Sequence, residues 1–175
     1  DNYIIDVLGL DVTAKKGWGD DVFEKINIYD IAQSSVEMLQ MTADKNNVSI
    51  TVSGSTQYIY ANRQMMDELI YNLCDNAIRY NNPGGSVHVS VTKDNSDVIV
   101  EVKDNGIGIS KENQQRIFER FYRVDKSRSK QTGGTGLGLA IVKHIVARHE
   151  NARLELESEE EKGTTIRVIF KTDNM

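Results

Sequence analysis

The chain has 175 residues, 39% of them hydrophobic and 27% charged, with a formal net charge of −5 at pH 7. That composition suits one soluble domain with a proper core, and its acidic balance argues against a nucleic-acid partner, which a basic surface would attract. No run is apolar and long enough to span a membrane, the first residues do not read as a signal peptide, and the lone Cys74 excludes a disulfide framework or a cysteine metal cage.

In chain order, residues 1–26 carry Gly9, Gly17 and Gly19 with Asp20-Asp21 and read as a linker, an expression-derived segment or a remnant of an upstream domain. Residues 28–43 form a predicted helix, with Ile31, Val36, Leu39 and Met41 among its apolar positions. Short strands over 48–52 and 57–60 flank a Ser-Gly-Ser turn, and a second helix covers 63–80 until Asn82-Pro83-Gly84-Gly85 breaks it. Strands over 87–92 and 98–103 pair around Asp94-Asn95, a helix covers 137–149, and strands over 154–158 and 164–170 close the domain. There are no internal repeats. Helices on one face of a mixed, mostly antiparallel sheet make a two-layer α/β sandwich over residues 27–172, with 173–175 as a tail.

Four segments carry candidate chemistry. On the second helix, Asn72 and Asn76 are four apart and share a face beside the apolar stripe of Leu69, Leu73 and Ile78. Asparagine competes with the helix backbone, so two on one face mark either a solvated surface or a polar site. Asp104-Asn105-Gly106-Ile107-Gly108 follows the alternation Val98, Val100, Val102, which places Asp104 at a strand end. By itself that is an ordinary turn. As a site, a carboxylate there accepts from an exocyclic amine, and the two glycines leave room for a flat base.

Next, Phe118 and Phe121 are three apart and insert on one side of a short helix. They anchor a basic stretch containing Arg116, Arg120, Arg123, Lys126, Arg128 and Lys130, and residues 110–132 read as a lid hinged at Gly133-Gly134. Last, Gly133-Gly134-Thr135-Gly136-Leu137-Gly138 runs into the apolar helix pattern Leu139-Ala140-Ile141-Val142. Free N–H groups at such a helix start, and its positive dipole end, suit phosphate. Leu139 stands where a Walker A loop needs lysine, and the polar run before Gly133 is no strand, so neither the Walker nor the Rossmann arrangement applies.

In this order the four segments resemble the N, G1, F and G2 boxes of a sensor histidine kinase catalytic and ATP-binding domain, within the gyrase, chaperone, histidine kinase and MutL ATPase superfamily. Gly163-Thr164-Thr165 resembles the late Gly-Thr element of the same Bergerat-type fold. The resemblance implies ATP and Mg²⁺ as cofactors. It implies that Asp104 holds the adenine amine with Gly106 and Gly108 beside it, that Tyr80 lies against the base, and that Thr164 supports adenine through water. Asn76 would hold Mg²⁺ with Asn72 beside it, and Gly134, Gly136, Leu137 and Gly138 would line the phosphates. Arg79 stands where the family most often has lysine, so it would meet phosphate as a fork rather than a point charge. Asn81, in place of the usual Thr or Ser, receives no role.

The resemblance also implies an acceptor histidine on a separate helical dimerisation domain. Of His88, His144 and His149, none sits in the expected setting: His149-Glu150 has no following proline, and helix-end charge or surface polarity accounts for His144 and His149. The expected partners are that acceptor domain and, indirectly, a response regulator. No nucleic acid and no direct membrane contact are expected; the isolated domain is expected to be a monomer in the cytoplasm, its parent membrane-anchored. A serine kinase or ATPase of the same superfamily is the first alternative, but such enzymes place a general-base Glu where Asn72 stands, and asparagine takes no proton at neutral pH. Glu68, one turn back, is an imperfect substitute. A non-catalytic nucleotide module is the second alternative.

Overall fold

The computed structural model describes residues 22–119 and 138–173, together with the backbone of residues 5 and 6. Its elements run β1 (Ile5–Asp6), β2 (Glu24–Asn27), α1 (Ile28–Met38), α2 (Gln40–Lys45), β3 (Ser49–Gly54), β4 (Tyr58–Ala61), α3 (Arg63–Arg79), β5 (Ser86–Asp94), β6 (Asp97–Asp104), α4 (Lys111–Gln114), α5 (Gly138–Ala147), β7 (Ala152–Glu159) and β8 (Gly163–Lys171). The main sheet has the order β1-β7-β8-β6-β5-β3, and β2 pairs with β4 in a separate ribbon. Only β3 with β5 is parallel among these pairings.

Strict alternation builds the sheet's inner face. Val87, Val89 and Val91 of β5 and Val98, Val100 and Val102 of β6 are buried, with Val89 opposite Val102 and Val91 opposite Val100. α3 supplies the facing stripe at helical spacing: Met66, Leu69, Ile70, Leu73, Cys74, Ala77 and Ile78. Asn62 starts that helix by accepting the Met65 N–H at 2.9 Å. α1 and α5 pack on either side of α3. Each large aliphatic side chain fully buried in this layer contributes about 1.5–3 kcal/mol. On the opposite face the alternation exposes charge, and Arg167 bridges Glu101 and Glu157, each at 2.9 Å.

Two elements differ from the sequence expectation. The helix expected over 28–43 is divided at Leu39, whose backbone leaves helical geometry (φ −95°, ψ 2°) while its side chain is fully buried. The bend lets Leu39 and Ala43 both reach the core and lets the Gln40 amide donate to Ile50 O at 3.3 Å on β3. The strands either side of the Ser-Gly-Ser turn do not pair with each other. β3 joins the main sheet, and β4 pairs with β2, with Ile26 opposite Ile59. Ile26 is the sole apolar residue of β2, so no alternation announced that strand. The expected boundary between residues 26 and 27 falls inside it.

Candidate functional site

Asp104 ends β6, opposite Thr164 of β8 and Val87 of β5. Its Oδ1 accepts the backbone N–H groups of Gly106 at 2.9 Å and Thr164 at 3.3 Å. Among the described residues nothing donates to Oδ2. Burial pushes the carboxyl up to about 6, against the opposing pull of the Gly106 and Thr164 amides. A carboxylate fixed by one oxygen and, among the described residues, open at the other is a directional acceptor for a further donor.

The glycines beside it serve a different purpose from the one expected. A Cβ on Gly106 would stand 2.5 Å from Tyr80 O and 2.9 Å from the Asn81 Cα, and a Cβ on Gly108 would collide with Glu159 O. The places where side chains would begin are thus filled by backbone, not left vacant for a base. What the glycines permit is close approach: the turn after β6 lies against the end of α3, with Ile107 N–H donating to Tyr80 O at 3.2 Å, and against the β7–β8 turn.

Ser158 joins these pieces. Its Oγ accepts the Ile109 N–H at 2.9 Å and lies 2.8 Å from Thr164 Oγ1 and 3.0 Å from Gly163 O. Gln114 of α4 is 1% exposed, and its Nε2 donates to Ile109 O at 2.9 Å and Ser158 O at 3.1 Å. Asn81, left without a role by the sequence, is 4% exposed; its Nδ2 donates to Ser86 O at 2.9 Å, tying the end of α3 to the start of β5. Of these three residues, Ser158 had a usable signal, because the alternation Leu154, Leu156, Ser158 points it into the core. Gln114 lies in the polar run Lys111–Gln114, where periodicity says nothing.

The α3 residues carry different loads. Asn72, Asn76, Arg79 and Tyr80 are all half-buried. Asn72 Nδ2 donates to Glu68 O at 2.7 Å, and its Oδ1 would stand 3.3 Å from a Cβ on Gly138, so the start of α5 abuts α3 here. The Asn76 amide makes no hydrogen bond among the described residues, which leaves its oxygen available. Arg79 is turned back: its Nε meets both Asp75 oxygens, at 3.1 and 2.9 Å. Gly134, Gly136 and Leu137, with Phe121 and the basic residues Arg120, Arg123, Lys126, Arg128 and Lys130, lie outside the described residues, while Arg116 lies within them, exposed and 3.4 Å from Glu119. The described part of the expected lid is anchored, since Gln114, Ile117 and Phe118 are buried.

The three histidines have distinct settings. His88 is exposed on β5 between Thr51 Oγ1 (2.7 Å) and Ser53 Oγ (2.9 Å), and His144 is exposed on α5. His149 is not the helix-end charge or surface group expected from sequence. It is 2% exposed, held between Ile145 O and the Asn62 N–H.

Residues 61–174 match the model of the family described as histidine kinase-, DNA gyrase B-, and HSP90-like ATPase. The sensor-like histidine kinase SenX3 of Mycolicibacterium smegmatis is 41% identical over 143 residues, 81% of this chain and 37% of that relative. The signal transduction histidine-protein kinase ArlS of Staphylococcus haemolyticus is 34% identical over 149 residues, 85% of this chain and 33% of that relative. The chain therefore spans about a third of the length of these curated relatives. Among solved structures, a mycobacterial sensor histidine kinase, MprB, superposes with a TM-score of 0.74 at 25% identity, covering 88% of this chain and all of that one.

Proposed function

The chain belongs to the histidine kinase-, DNA gyrase B- and HSP90-like ATPase family, and we propose that it is the ATP-binding catalytic domain of a sensor histidine kinase that passes the γ-phosphoryl group of ATP to a histidine on a separate dimerisation domain. The observation that carries the reading is Asp104, held by two backbone N–H groups on Oδ1 and, among the described residues, open on Oδ2. An adenine amine supplies the missing donor, and guanine, with an oxygen at that position, does not. Thr164, whose hydroxyl is shared with Ser158, lies on the neighbouring strand to steady the base, with Tyr80 at the end of α3 beside it.

The phosphates then extend toward the start of α5, where Gly138 abuts Asn72 and which the glycine-rich stretch 133–137 precedes in sequence. Asn76 fits a Mg²⁺ ligand, because its amide oxygen is uncommitted among the described residues and the ion prefers oxygen donors completed by phosphate. When bound, Mg²⁺ supplies charge neutralisation across the phosphates. In transfer, the acceptor imidazole nitrogen bonds to the γ-phosphorus as the bond to the β–γ bridging oxygen breaks, and ADP leaves with that electron pair. The imidazole proton goes to a base on the acceptor domain. Asn72 cannot take it, and its amide is bound to the Glu68 carbonyl. This favours a histidine acceptor that brings its own base over a serine kinase or ATPase.

We further propose a membrane-anchored parent with this domain in the cytoplasm, phosphorylating a response regulator through the acceptor histidine. Relatives named as sensor and signal transduction histidine kinases support the signalling role. Among the described residues no helix is long and apolar enough to cross a membrane. The test is calorimetric titration with ATP and GTP, followed by mixing with the cognate acceptor domain and Mg·ATP and scoring phosphohistidine. Preference for ATP and label on the acceptor are expected. Equal affinity for the two nucleotides, or none for either, would overturn the assignment of Asp104.

A further inference from the structure

Gln114 is the least expected residue near the base pocket: a glutamine from a short polar helix, 1% exposed. Both of its hydrogen bonds leave from Nε2, to Ile109 O and Ser158 O, so the amide orientation is fixed. The same orientation leaves Oε1 buried with no partner among the described residues. An orphaned buried acceptor is unfavourable, and a leucine or methionine would fill the space without one. The glutamine is therefore better explained by what its two N–H bonds hold than by packing.

What they hold is one strand end and one turn. Ser158, gripped through its carbonyl by Gln114, grips in turn the Ile109 N–H and the Thr164 hydroxyl through its own Oγ. Thr164 donates its backbone N–H to Asp104 Oδ1. The path from Gln114 to the Asp104 carboxylate thus runs through contacts of 3.1, 2.8 and 3.3 Å, the backbone of Ser158 and Thr164 completing it. A second branch enters through Ile109, five residues after Asp104 in the chain.

We propose that Gln114 is a positioning residue for base recognition, setting the direction of the Asp104 carboxylate through Ser158 and Thr164, and so determining how sharply the pocket separates adenine from guanine. The proposal rests on adenine binding at Asp104. Directional acceptance is what distinguishes the two purines, and a polar site loses discrimination when its acceptor is free to turn.

The test uses the full 175-residue chain and two probes, the non-hydrolysable imido analogues of ATP and GTP, titrated by calorimetry into wild type, Gln114→Met and Ser158→Ala. Gln114→Met keeps the volume and removes both donated bonds. The expected result is a loss of about tenfold in affinity for the adenine analogue, the order of one or two hydrogen bonds, with affinity for the guanine analogue unchanged. Discrimination then falls by the same factor. Ser158→Ala should do likewise, and serves if the methionine variant does not fold. A general structural loss lowers both affinities equally and leaves discrimination at the wild-type value. That outcome, in whichever variant folds, overturns the role given to Gln114, as does failure of both variants to fold, which marks the network as a folding element. A wild type that does not prefer the adenine analogue overturns instead the nucleotide reading on which the proposal rests.

Discussion

His149 Nε2 accepts the backbone N–H of Asn62 at 3.2 Å while Nδ1 lies 2.8 Å from Ile145 O. An N–H on one side and a carbonyl on the other fix the tautomer, with Nδ1 donating and Nε2 accepting. The ring thereby ties the end of α5 to the N-cap of α3, and Phe23 packs its ring edge-on at 5.0 Å. At the other end of α5, Gly138 meets Asn72 in the middle of α3. His149 therefore fastens the C-terminal end of α5 to the start of α3, while the other end of α5 faces the middle of α3 at the proposed phosphate site.

Replacing His149 with alanine removes both partners at once and opens space under Phe23. The expected destabilisation is about 2–4 kcal/mol, from the Asn62 N–H left unsatisfied and the cavity under Phe23, since Ile145 O keeps the Arg148 N–H at 3.1 Å. Urea denaturation checks it. A loss below about 0.5 kcal/mol would show that the ring contributes no more than a surface side chain.

The Asp104 carboxyl gives a pH dependence of definite sign. Its folded-state pKa, about 6, lies above the ordinary value of 3.8, so between those values the folded chain binds more protons than the unfolded one. Stability from this group is then greatest at the acid end of that window and falls as pH rises through it, by on the order of 1–3 kcal/mol in total. Nucleotide binding runs the other way: the amine needs an ionised acceptor, so ATP affinity should fall as pH drops below about 6. Asp104→Asn should stabilise the nucleotide-free chain near pH 7, flatten its acid profile, and weaken ATP at least tenfold at pH 7. Thermal melts and calorimetry from pH 5 to 8, on both proteins, test the two halves separately. A variant that is less stable than wild type at pH 7 would contradict the burial argument.

Much of this was legible because burial and chemistry fell on the same pattern. The valines of β5 and β6 gave the sheet by alternation, and the last residue of β6 was the carboxylate. The stripe on α3 separated its core face from the half-buried asparagines. What escaped has a common cause. β2 carries one apolar residue and forms only because β4 is there to pair with it. Gln114 and His149 are buried polar groups with partners 44 and 87 residues away, and Asn81 is buried across a turn whose carbonyl it holds. Local periodicity has no term for such partners. The glycines were found for the wrong physical reason, since which atoms crowd a Cβ is a tertiary fact.

Asn76 offers an oxygen without having to break a hydrogen bond within the described chain. Asn76→Ala should leave the fold within about 0.5 kcal/mol of wild type, as for a residue whose side chain holds nothing in place. It should reduce the effect of Mg²⁺ on ATP affinity and abolish phosphoryl transfer to an added acceptor domain, while ATP in EDTA binds as before. Titrations with and without the metal separate these effects. Unchanged magnesium dependence would place the ligand on another residue.

Gly84 and Gly108 both have positive φ, 88° and 66°, but their surroundings differ. A Cβ at Gly84 meets nothing within 4 Å, whereas at Gly108 it meets the Glu159 carbonyl and the Glu160 Cα. Alanine at Gly84 therefore incurs only the left-handed backbone penalty, about 1 kcal/mol. At Gly108 the same penalty is joined by a collision with backbone that cannot swing aside as a side chain tip could. Relieving it means prying the Asp104 turn from the β7–β8 turn, with an expected loss of about 3 kcal/mol or more. That separation also loosens the Ile109 N–H to Ser158 contact, so ATP affinity should fall in Gly108→Ala at temperatures where the chain is still folded, and stay at the wild-type value in Gly84→Ala. Parallel urea melts and ATP titrations of the two variants decide the matter. Equal destabilisation with ATP binding intact in both would mean that the two turns do not interlock and that only backbone strain was felt.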